Sequence, residues 1–593
     1  MFIIQTMPLV KIEGLFDYFS NQKLKPGSLV SVKMNKSEVR AIVKKSIPLK
    51  EHKIEVKESQ FKLKPISKIL TKYPVLTDKQ MKLAIFVSQF YLAPLGICLK
   101  LFLPKSVLRN QNIEELHLDF KEQEIKEFQK PILLWNKNRI EYYKKNIRSQ
   151  TLILVPEISM IEQYKNMADA VFHSRLNQKK ELEIWRKTAA GEINTIVGTR
   201  RALFLPFKDL NLIIIDNEEN PGYKSWDMQP KYHTKTLALK LAQINNSKTI
   251  LGTSFPSIES FYFSSQNKYK ITKEEQEQNK VKIIDLRQEI KKGNFSVLSD
   301  ELEKEIKQSE QSILFINRKG TARAMVCRDC GYTIKCPYCS APMVYYKETK
   351  LICKHCSKEI KMPSLCPKCG SRRMKELGPG VEKVVQSVQK LGKTVSLDST
   401  KKQQKQILKD FKNKKYKILV TTQLPENIKV PLSANVIADS IINLPEYRSQ
   451  YNFFRIIQKL RENSKKTLIQ TYNPEIKIFN SIKNNKTEEF FKKEIETRKA
   501  LFYPPFSKII KLSLTKTDRH KAKEEATELK QKIEKYLKQA EISGPNPGFV
   551  EKKKNKYIWQ IIIKIKTEDY KKARFLKTLA SNWDIDVEPA SLL

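Results

Sequence analysis

The chain has 593 residues, 40% of them hydrophobic, which is enough to bury several cores spread over roughly three to five domains and excludes a disordered protein. Its 111 Lys and Arg against 64 Asp and Glu give a formal net charge of +47, far beyond what solubility needs and suited to a polyanionic partner such as nucleic acid. No apolar run approaches the roughly 18 residues of a membrane span, and the opening MFIIQTMPLVKIEG lacks a basic stretch followed by a cleavage site, so the sequence predicts a cytoplasmic protein with reduced thiols and no membrane partner.

In chain order, short strands at Leu29–Val32 and Val39–Val43, then a helix over Asp78–Tyr91, define a small β-rich domain, residues 1–104. A Glu- and Lys-rich stretch, 105–130, reads as a linker. Buried-strand signals at Thr151–Val155, Thr195–Val197, Leu212–Ile215 and Thr249–Leu251, separated by helical stretches, predict a parallel sheet in an α/β lobe, 131–270. A second lobe starts within 271–326, with a strand at Ser312–Ile316. It resumes over 370–475, with strands at Thr394–Leu397, Lys417–Val420 and Asn435–Ile437. The insertion between, 327–369, carries a metal-binding pattern. The last segment, 476–593, combines an amphipathic helix at Lys521–Gln539 with strands near Tyr557–Ile565, an α+β domain. The fold class is therefore multidomain α/β, with two parallel-sheet lobes and a ribbon insertion in the second.

Eight of the nine cysteines fall in that insertion as four C-x-x-C pairs: Cys327/Cys330, Cys336/Cys339, Cys353/Cys356 and Cys366/Cys369. Each pair forms a turn presenting two thiolates to one ion, so four pairs load two zinc ions in closed four-sulfur sites. Such sites are structural. A redox role needs one exposed, low-pKa pair beside a βαβ unit, which this basic, proline-containing segment does not offer.

Further segments resemble one family over most of the chain. They include Leu154-Val-Pro-Glu-Ile158, His173-Ser174, Trp185, Gly198-Thr-Arg-Arg-Ala-Leu-Phe-Leu-Pro-Phe207 and Tyr223-Lys224. Later come Ile284-Asp-Leu-Arg-Gln-Glu289, Leu314-Phe-Ile-Asn-Arg-Lys-Gly320, Gly378-Pro-Gly380 with Glu382, Ile469-Gln-Thr-Tyr472 with Pro474, Tyr503-Pro-Pro-Phe506 and Asp586-Val-Glu-Pro589. With the cysteine set inside the second lobe, the chain resembles the PriA family, the bacterial primosomal replication-restart helicases (primosomal protein N′). The resemblance implies interleaved zinc pairs, with Cys327, Cys330, Cys366 and Cys369 on one ion and Cys336, Cys339, Cys353 and Cys356 on the other. The outer site would then close a loop around the inner one, and losing one thiolate should unfold the module. Near the N-terminus, Phe16, Asp17, Tyr18 and Lys64 resemble the family's pocket for the 3′ end of a nascent DNA strand. A carboxylate there can accept a hydrogen bond from a terminal hydroxyl but repels an internal phosphodiester, and an aromatic ring offers a stacking face. The family's glycine in the following turn is Asn35 here. Tyr223, Lys224, Trp226, Tyr232 and His233 resemble its aromatic-rich, single-strand-binding loop.

The same resemblance exposes what is missing. An active member needs G-x-x-x-x-G-K-S/T after the first strand of lobe one, but Ile132-Leu-Leu134 leads into Trp135-Asn-Lys-Asn-Arg-Ile-Glu-Tyr, with no glycine. Arg139 is the candidate nucleotide contact: it can supply charge but not the backbone cradle. The family's Asp-Glu-Glu-His box reads Asp216-Asn217-Glu218-Glu219, so the general base has become an amide, and Glu218 is displaced by one residue. The arginine-finger motif Q-x-x-G-R-x-G-R is reduced to Gln458-Lys-Leu-Arg461-Glu-Asn-Ser-Lys465, and the segment before it is altered to Thr421-Thr-Gln-Leu-Pro-Glu-Asn427. The family's winged-helix domain has no room within 105–130. No catalytic residue is therefore expected, and the eroded motifs argue against the family's cofactors ATP and magnesium.

The sequence thus leads to a replication-restart primosome protein that binds forked or single-stranded DNA and nascent 3′ ends without helicase activity. Its implied partners are primosome or replicative helicase-loading proteins and a single-stranded-DNA-binding protein. The alternatives are an active ATP-dependent 3′ to 5′ helicase with divergent motifs, and a zinc-ribbon scaffold that binds protein or RNA.

Overall fold

The computed structural model describes residues 1–35, 37–49, 63–109, 129–274, 279–317, 325–327, 329–338, 342–346, 350–353, 358–376, 381–397, 403–426, 428–553 and 555–592. They form two compact units, 1–275 with 568–590, and 276–567 with 591–593. Most of the 105–130 linker lies outside the described residues.

The first unit opens with β1 (Phe2–Pro8), β2 (Phe16–Ser20), β3 (Ser28–Met34), β4 (Ser37–Pro48) and β5 (Lys64–Pro74), which close a barrel in the order β1-β2-β5-β3-β4. Its interior is filled by Ile4, Tyr18, Val30, Val32, Ala41 and Val43. The turn between β3 and β4 passes through Asn35 at φ 50°, a left-handed conformation that asparagine adopts more readily than other side chains, so the exchange of glycine for asparagine preserves the turn. The helix Asp78–Phe90 starts at a capping box, in which Gln80 N donates to Thr77 Oγ1 and Thr77 N donates to Gln80 Oε1. Gln80 Nε2 then donates to Phe204 O, joining this helix to lobe one.

Lobe one contains β6 (Ile132–Trp135), β7 (Thr151–Leu154), β8 (Ala170–Phe172), β9 (Thr195–Gly198), β10 (Leu212–Asp216), β11 (Lys248–Thr253) and β12 (Lys270–Lys273). The sheet order is β12-β6-β11-β10-β7-β9-β8, with every pair parallel. All five residues of β10 are buried, as expected for a central strand covered on both faces. The lobe continues past its expected end at 270, because β12 pairs with β6 through Lys273. That edge strand is exposed along its whole length, so it lacks the apolar signal that marks the others.

The second unit starts with β13 (Val281–Asp285) and β14 (Ser312–Phe315). The ribbon insertion follows, with β15 (Met325–Cys327), β16 (Val344–Tyr346), β17 (Lys350–Ile352), β18 (Glu359–Lys361) and β19 (Met374–Glu376). Lobe two resumes with β20 (Thr394–Leu397), β21 (Ile418–Thr421), β22 (Val430–Asn435) and β23 (Ser464–Thr471), giving a six-stranded parallel sheet in the order β13-β23-β22-β14-β21-β20. The expected strand at Asn435–Ile437 is a correction: the ladder ends at Asn435, and Val436 and Ile437 are buried beyond it. Pro431 breaks the strand signal in the sequence.

The unit ends with antiparallel strands β24 (Ser507–Lys516), β25 (Glu541–Lys553) and β26 (Lys556–Lys566). The helix Arg519–Tyr536 buries Ala522, Ala526, Leu529 and Ile533. Residues 568–590, expected within a domain spanning 476–593, group instead with the first unit.

Candidate functional site

Three loci expected from the sequence lie in the first unit: the strand ends of lobe one, the loop after β10, and the barrel. At the strand ends, Asp216 closes β10 and is fully buried. Arg139 caps the short helix Ile140–Asn146, which begins where the glycine loop is missing. Its Nε donates to Asp216 Oδ1 at 2.7 Å, its Nη1 to Asn136 O at 2.7 Å and its Nη2 to Asn217 Oδ1 at 3.1 Å. Tyr143 OH donates to the same Asp216 oxygen at 2.7 Å, and Asn217 Nδ2 donates to Asp216 Oδ2 at 3.0 Å. Burial pushes the Asp216 carboxyl up, but Arg139 and the hydrogen bonds from Arg139, Tyr164 and Tyr143 outweigh it and hold the group below its ordinary value. The Arg139 guanidinium is held well above its ordinary value: burial opposes its charge, and the Asp216 carboxylate more than compensates.

The space is filled as well as the charge. A Cβ at Gly252, near the end of β11, would lie 1.6 Å from the Tyr143 hydroxyl and 3.0 Å from Arg139 Cδ. Glu218, the displaced acid, faces Lys235 Nζ at 2.6 Å and accepts from Ser257 N at 2.7 Å and Ser257 Oγ at 2.9 Å. Burial lowers the Lys235 ammonium, but the Glu218 carboxylate more than offsets this and holds it above its ordinary value. Glu219 accepts from Thr253 Oγ1 at 2.7 Å. The donor set at these strand ends does not fit a hydrated magnesium ion with a triphosphate. In the second unit, Arg461 is likewise turned inward, donating to Asn279 O and Asn485 Oδ1, and burial pulls it down to about 10.

The loop after β10 divides its aromatic residues. Tyr223 is fully buried and donates to Leu154 O at 2.7 Å and Asp216 O at 2.6 Å. Lys224 is 2% exposed, pairs with Asp586 at 2.8 Å and donates to Val587 O at 2.6 Å. Burial lowers the Lys224 ammonium below its ordinary range, with Asp586 opposing that shift. Both residues were expected to touch DNA; in the structure their polar atoms face the protein interior. Tyr232 is buried too, and the His233 amide donates to Tyr91 OH. Trp226 alone of this group is largely exposed, at 72%, with Met228 beside it at 70%. The loop is held at its base by Ser225 N donating to Tyr232 O and on its flank by Lys231 paired with Asp584.

On the barrel, Asp17 is exposed in β2 and accepts from Gln5 Nε2 at 3.4 Å. Phe16 is half-buried, and Tyr18 is buried with its hydroxyl donating to Lys33 O at 3.3 Å. Lys64 is exposed and stands opposite Tyr18 in the β2–β5 register. These four residues therefore share one end of two neighbouring strands, with an exposed carboxylate and an exposed ammonium.

In the ribbon insertion, the sulfurs of Cys327, Cys330, Cys366 and Cys369 lie within 4.8 Å of one another. Two of the separations, Cys327 to Cys369 and Cys330 to Cys366, are 3.6 Å. Sulfurs around one zinc at about 2.3 Å would lie roughly 3.8 Å apart, so this donor set fits a closed tetrahedral site. Both turns are built alike. Cys330 is followed by Gly331 at φ 72° and Cys369 by Gly370 at φ 69°, and each glycine amide donates back to the first cysteine's carbonyl. Cys336 and Cys353 sit in the module's core with Ile334, Met343 and Leu351. Their expected companions Cys339 and Cys356 lie outside the described residues.

Sequence reasoning missed Tyr143, Lys235 and Asp586. The four-residue spacing of Arg139 and Tyr143 was the available signal for the first, since it puts both on one side of a helical turn.

Residues 4–104 match the family model for the PriA 3′ DNA-binding domain, and residues 499–590 that for the primosomal protein N C-terminal domain. Residues 334–377 match the double zinc ribbon. The chain is 29% identical to the replication restart protein PriA of Bacillus subtilis over 74% of this chain and 59% of that protein. It is 29% identical to the Borreliella burgdorferi protein of that name over 86% of each, and 27% identical to the Rickettsia conorii protein over 99% of each. The chain thus spans about three fifths of the Bacillus and Synechocystis relatives, at 59% for both, but nearly all of the rickettsial one. Among solved structures, Saccharomyces cerevisiae Dbp5 bound to RNA and ADP BeF3 is 10% identical, with a TM-score of 0.34 over 72% of this chain and 98% of that one. Among the described residues, no helix is long and apolar enough to cross a membrane. With matches to an N-terminal and a C-terminal PriA domain, a double zinc ribbon between them, and relatives matched along the whole chain, the chain is similar to PriA replication restart proteins from end to end.

Proposed function

We propose that this protein recognises DNA at forks, single strands and nascent 3′ ends, and helps reload the replication machinery without unwinding DNA itself. One observation carries the reading: Arg139 neutralises Asp216 at 2.7 Å where a metal–nucleotide would have to sit, while Asp17 on the barrel stays exposed. Hydrolysis needs a positioned triphosphate, a metal and a base, and Asn217 cannot take a proton at neutral pH. Recognition needs only the barrel, the Trp226 loop and the positive charge. The relatives' name, replication restart protein, supports this direction. Its partners in this reading are helicase-loading primosome proteins and a single-stranded-DNA-binding protein, and the ribbon insertion holds two zinc ions.

The test is ATP hydrolysis by the zinc-loaded protein, with fork affinity measured in the same samples on forks whose nascent strand ends in a 3′-hydroxyl or a 3′-phosphate. The expected result is background hydrolysis, preference for the hydroxyl end, and affinity that falls steeply with salt as counterions are released. DNA-stimulated hydrolysis would establish a divergent 3′ to 5′ helicase instead. Equal affinity for forks and for unrelated polyanions would favour a scaffold that binds protein or RNA.

A further inference from the structure

The carboxylate that ends β10 still calls for a cation. Asp216 is fully buried, and an isolated carboxylate in such a place is strongly disfavoured. In an active member of the family that cation would come with a nucleotide; here it comes from the chain. We infer that Arg139 is a tethered replacement for the metal–nucleotide, fitted to Asn217 and Tyr143, so that lobe one is held in one state that neither needs nor admits nucleotide. The inference rests on the proposed reading that the chain does not hydrolyse ATP, and deepens it by assigning what fills the site.

The geometry supports replacement rather than simple decay. In the sheet, β6 and β10 flank β11, so their ends are not hydrogen-bonded to each other. The Arg139 guanidinium spans them, reaching Asn136 O just after β6 and Asp216 at the end of β10. Tyr143 lies over Gly252 on the strand between, where a glycine leaves room for the hydroxyl and any larger residue would collide with it. A ligand staple across the strand ends is thereby built from protein atoms.

Asn217 is the more telling residue. Its Oδ1 accepts from Arg139 Nη2 at 3.1 Å, and its Nδ2 donates to Asp216 Oδ2 at 3.0 Å. An amide can do both, because it carries an acceptor and a donor on one group, whereas an ionised carboxylate can only accept. A glutamate here would place two carboxylates on one guanidinium and leave Asp216 without that donor. The amide at 217 and the arginine at 139 are therefore matched to each other and to Asp216. Access follows the same logic: the Arg139 side chain keeps 10% of its surface exposed while Asp216 keeps none, so the arginine is the outer member of the pair.

The test is the melting temperature of the zinc-loaded full chain, with and without millimolar Mg2+ and Mg2+·ADP, for wild type, Arg139→Ala and the double variant Arg139→Ala/Asp216→Asn. Wild type should not respond to either addition. Arg139→Ala should melt several degrees lower and be raised by Mg2+ alone, since an uncovered carboxylate accepts a divalent cation. The double variant should be insensitive. A rise in the wild-type melting temperature with Mg2+·ADP would overturn the inference, and that measurement does not depend on whether any variant folds. Equal Mg2+ responses in the single and double variants would also overturn it. Wild type that binds Mg2+·ADP without turning over ATP would sink this inference and leave the proposed function standing, whereas DNA-stimulated hydrolysis would sink both.

Discussion

Arg139 Nε lies 2.7 Å from Asp216 Oδ1, inside a lobe where neither residue has another ionic partner among the described pairs. Removing one side of such a pair leaves an uncompensated buried charge. Asp216→Asn should therefore lower the stability of the first unit by about 3–5 kcal/mol. The pH dependence has a definite sign: the folded carboxyl is held below its unfolded value of about 4, so its contribution is fully present above that pH and is lost as pH falls through the folded value. Urea titrations from neutral pH downward should show the wild type losing this contribution only in strong acid, while the variant lacks it throughout.

The two knuckle turns of the ribbon insertion share one donor set across 42 residues. Cys327→Ser should release that ion and, by opening the outer loop, the inner one with it. Zinc content after gel filtration should fall toward one ion or none, and two retained ions would refute the interleaved pairing.

Tyr223 and Trp226 are three positions apart but should behave oppositely. Tyr223→Phe removes the hydroxyl whose one proton is shared between two buried carbonyls and should cost about 1–3 kcal/mol of stability with no direct effect on DNA affinity. Trp226→Ala should stay within about 0.5 kcal/mol of wild-type stability, yet lose about 1–3 kcal/mol of single-strand affinity if its ring stacks on a base. Denaturant melts and fluorescence anisotropy on one set of samples separate the two.

Asp17→Ala should leave the melting temperature unchanged, because the side chain is exposed. The same variant should lose the preference for a 3′-hydroxyl over a 3′-phosphate end. Unchanged discrimination would remove the barrel from end recognition.

Local chemistry was readable and long-range pairing was not. The C-x-x-C-Gly turns are set by spacing and by glycines at positive φ, so they stand out in the sequence. The run Leu212–Ile215 declares a buried strand by composition alone, whereas β12, written Lys-Ile-Thr-Lys and exposed throughout, carries no such signal. The missing glycine loop was plain, but its occupant was not, because Arg139 and Asp216 are 77 residues apart. Tyr223 and Lys224 looked like ligand contacts for the same reason: a basic aromatic loop reads identically whether its rings face solvent or carbonyls. Only Asp586, in the last ten residues of the chain, shows which way Lys224 turns.

That distant partner has a consequence for how the protein is made. Lys224 donates to Val587 O across 363 residues of sequence, so the ammonium emerges from the ribosome long before its acceptors exist. At about 5–20 residues per second, the wait is roughly 20–70 seconds. Throughout it the first unit must persist with a charged side chain lacking its final surroundings and a surface waiting to be covered by residues 568–590. The N-terminal part should therefore be most vulnerable to proteolysis and chaperone capture during synthesis, and a chain truncated before residue 568 should remain in that state.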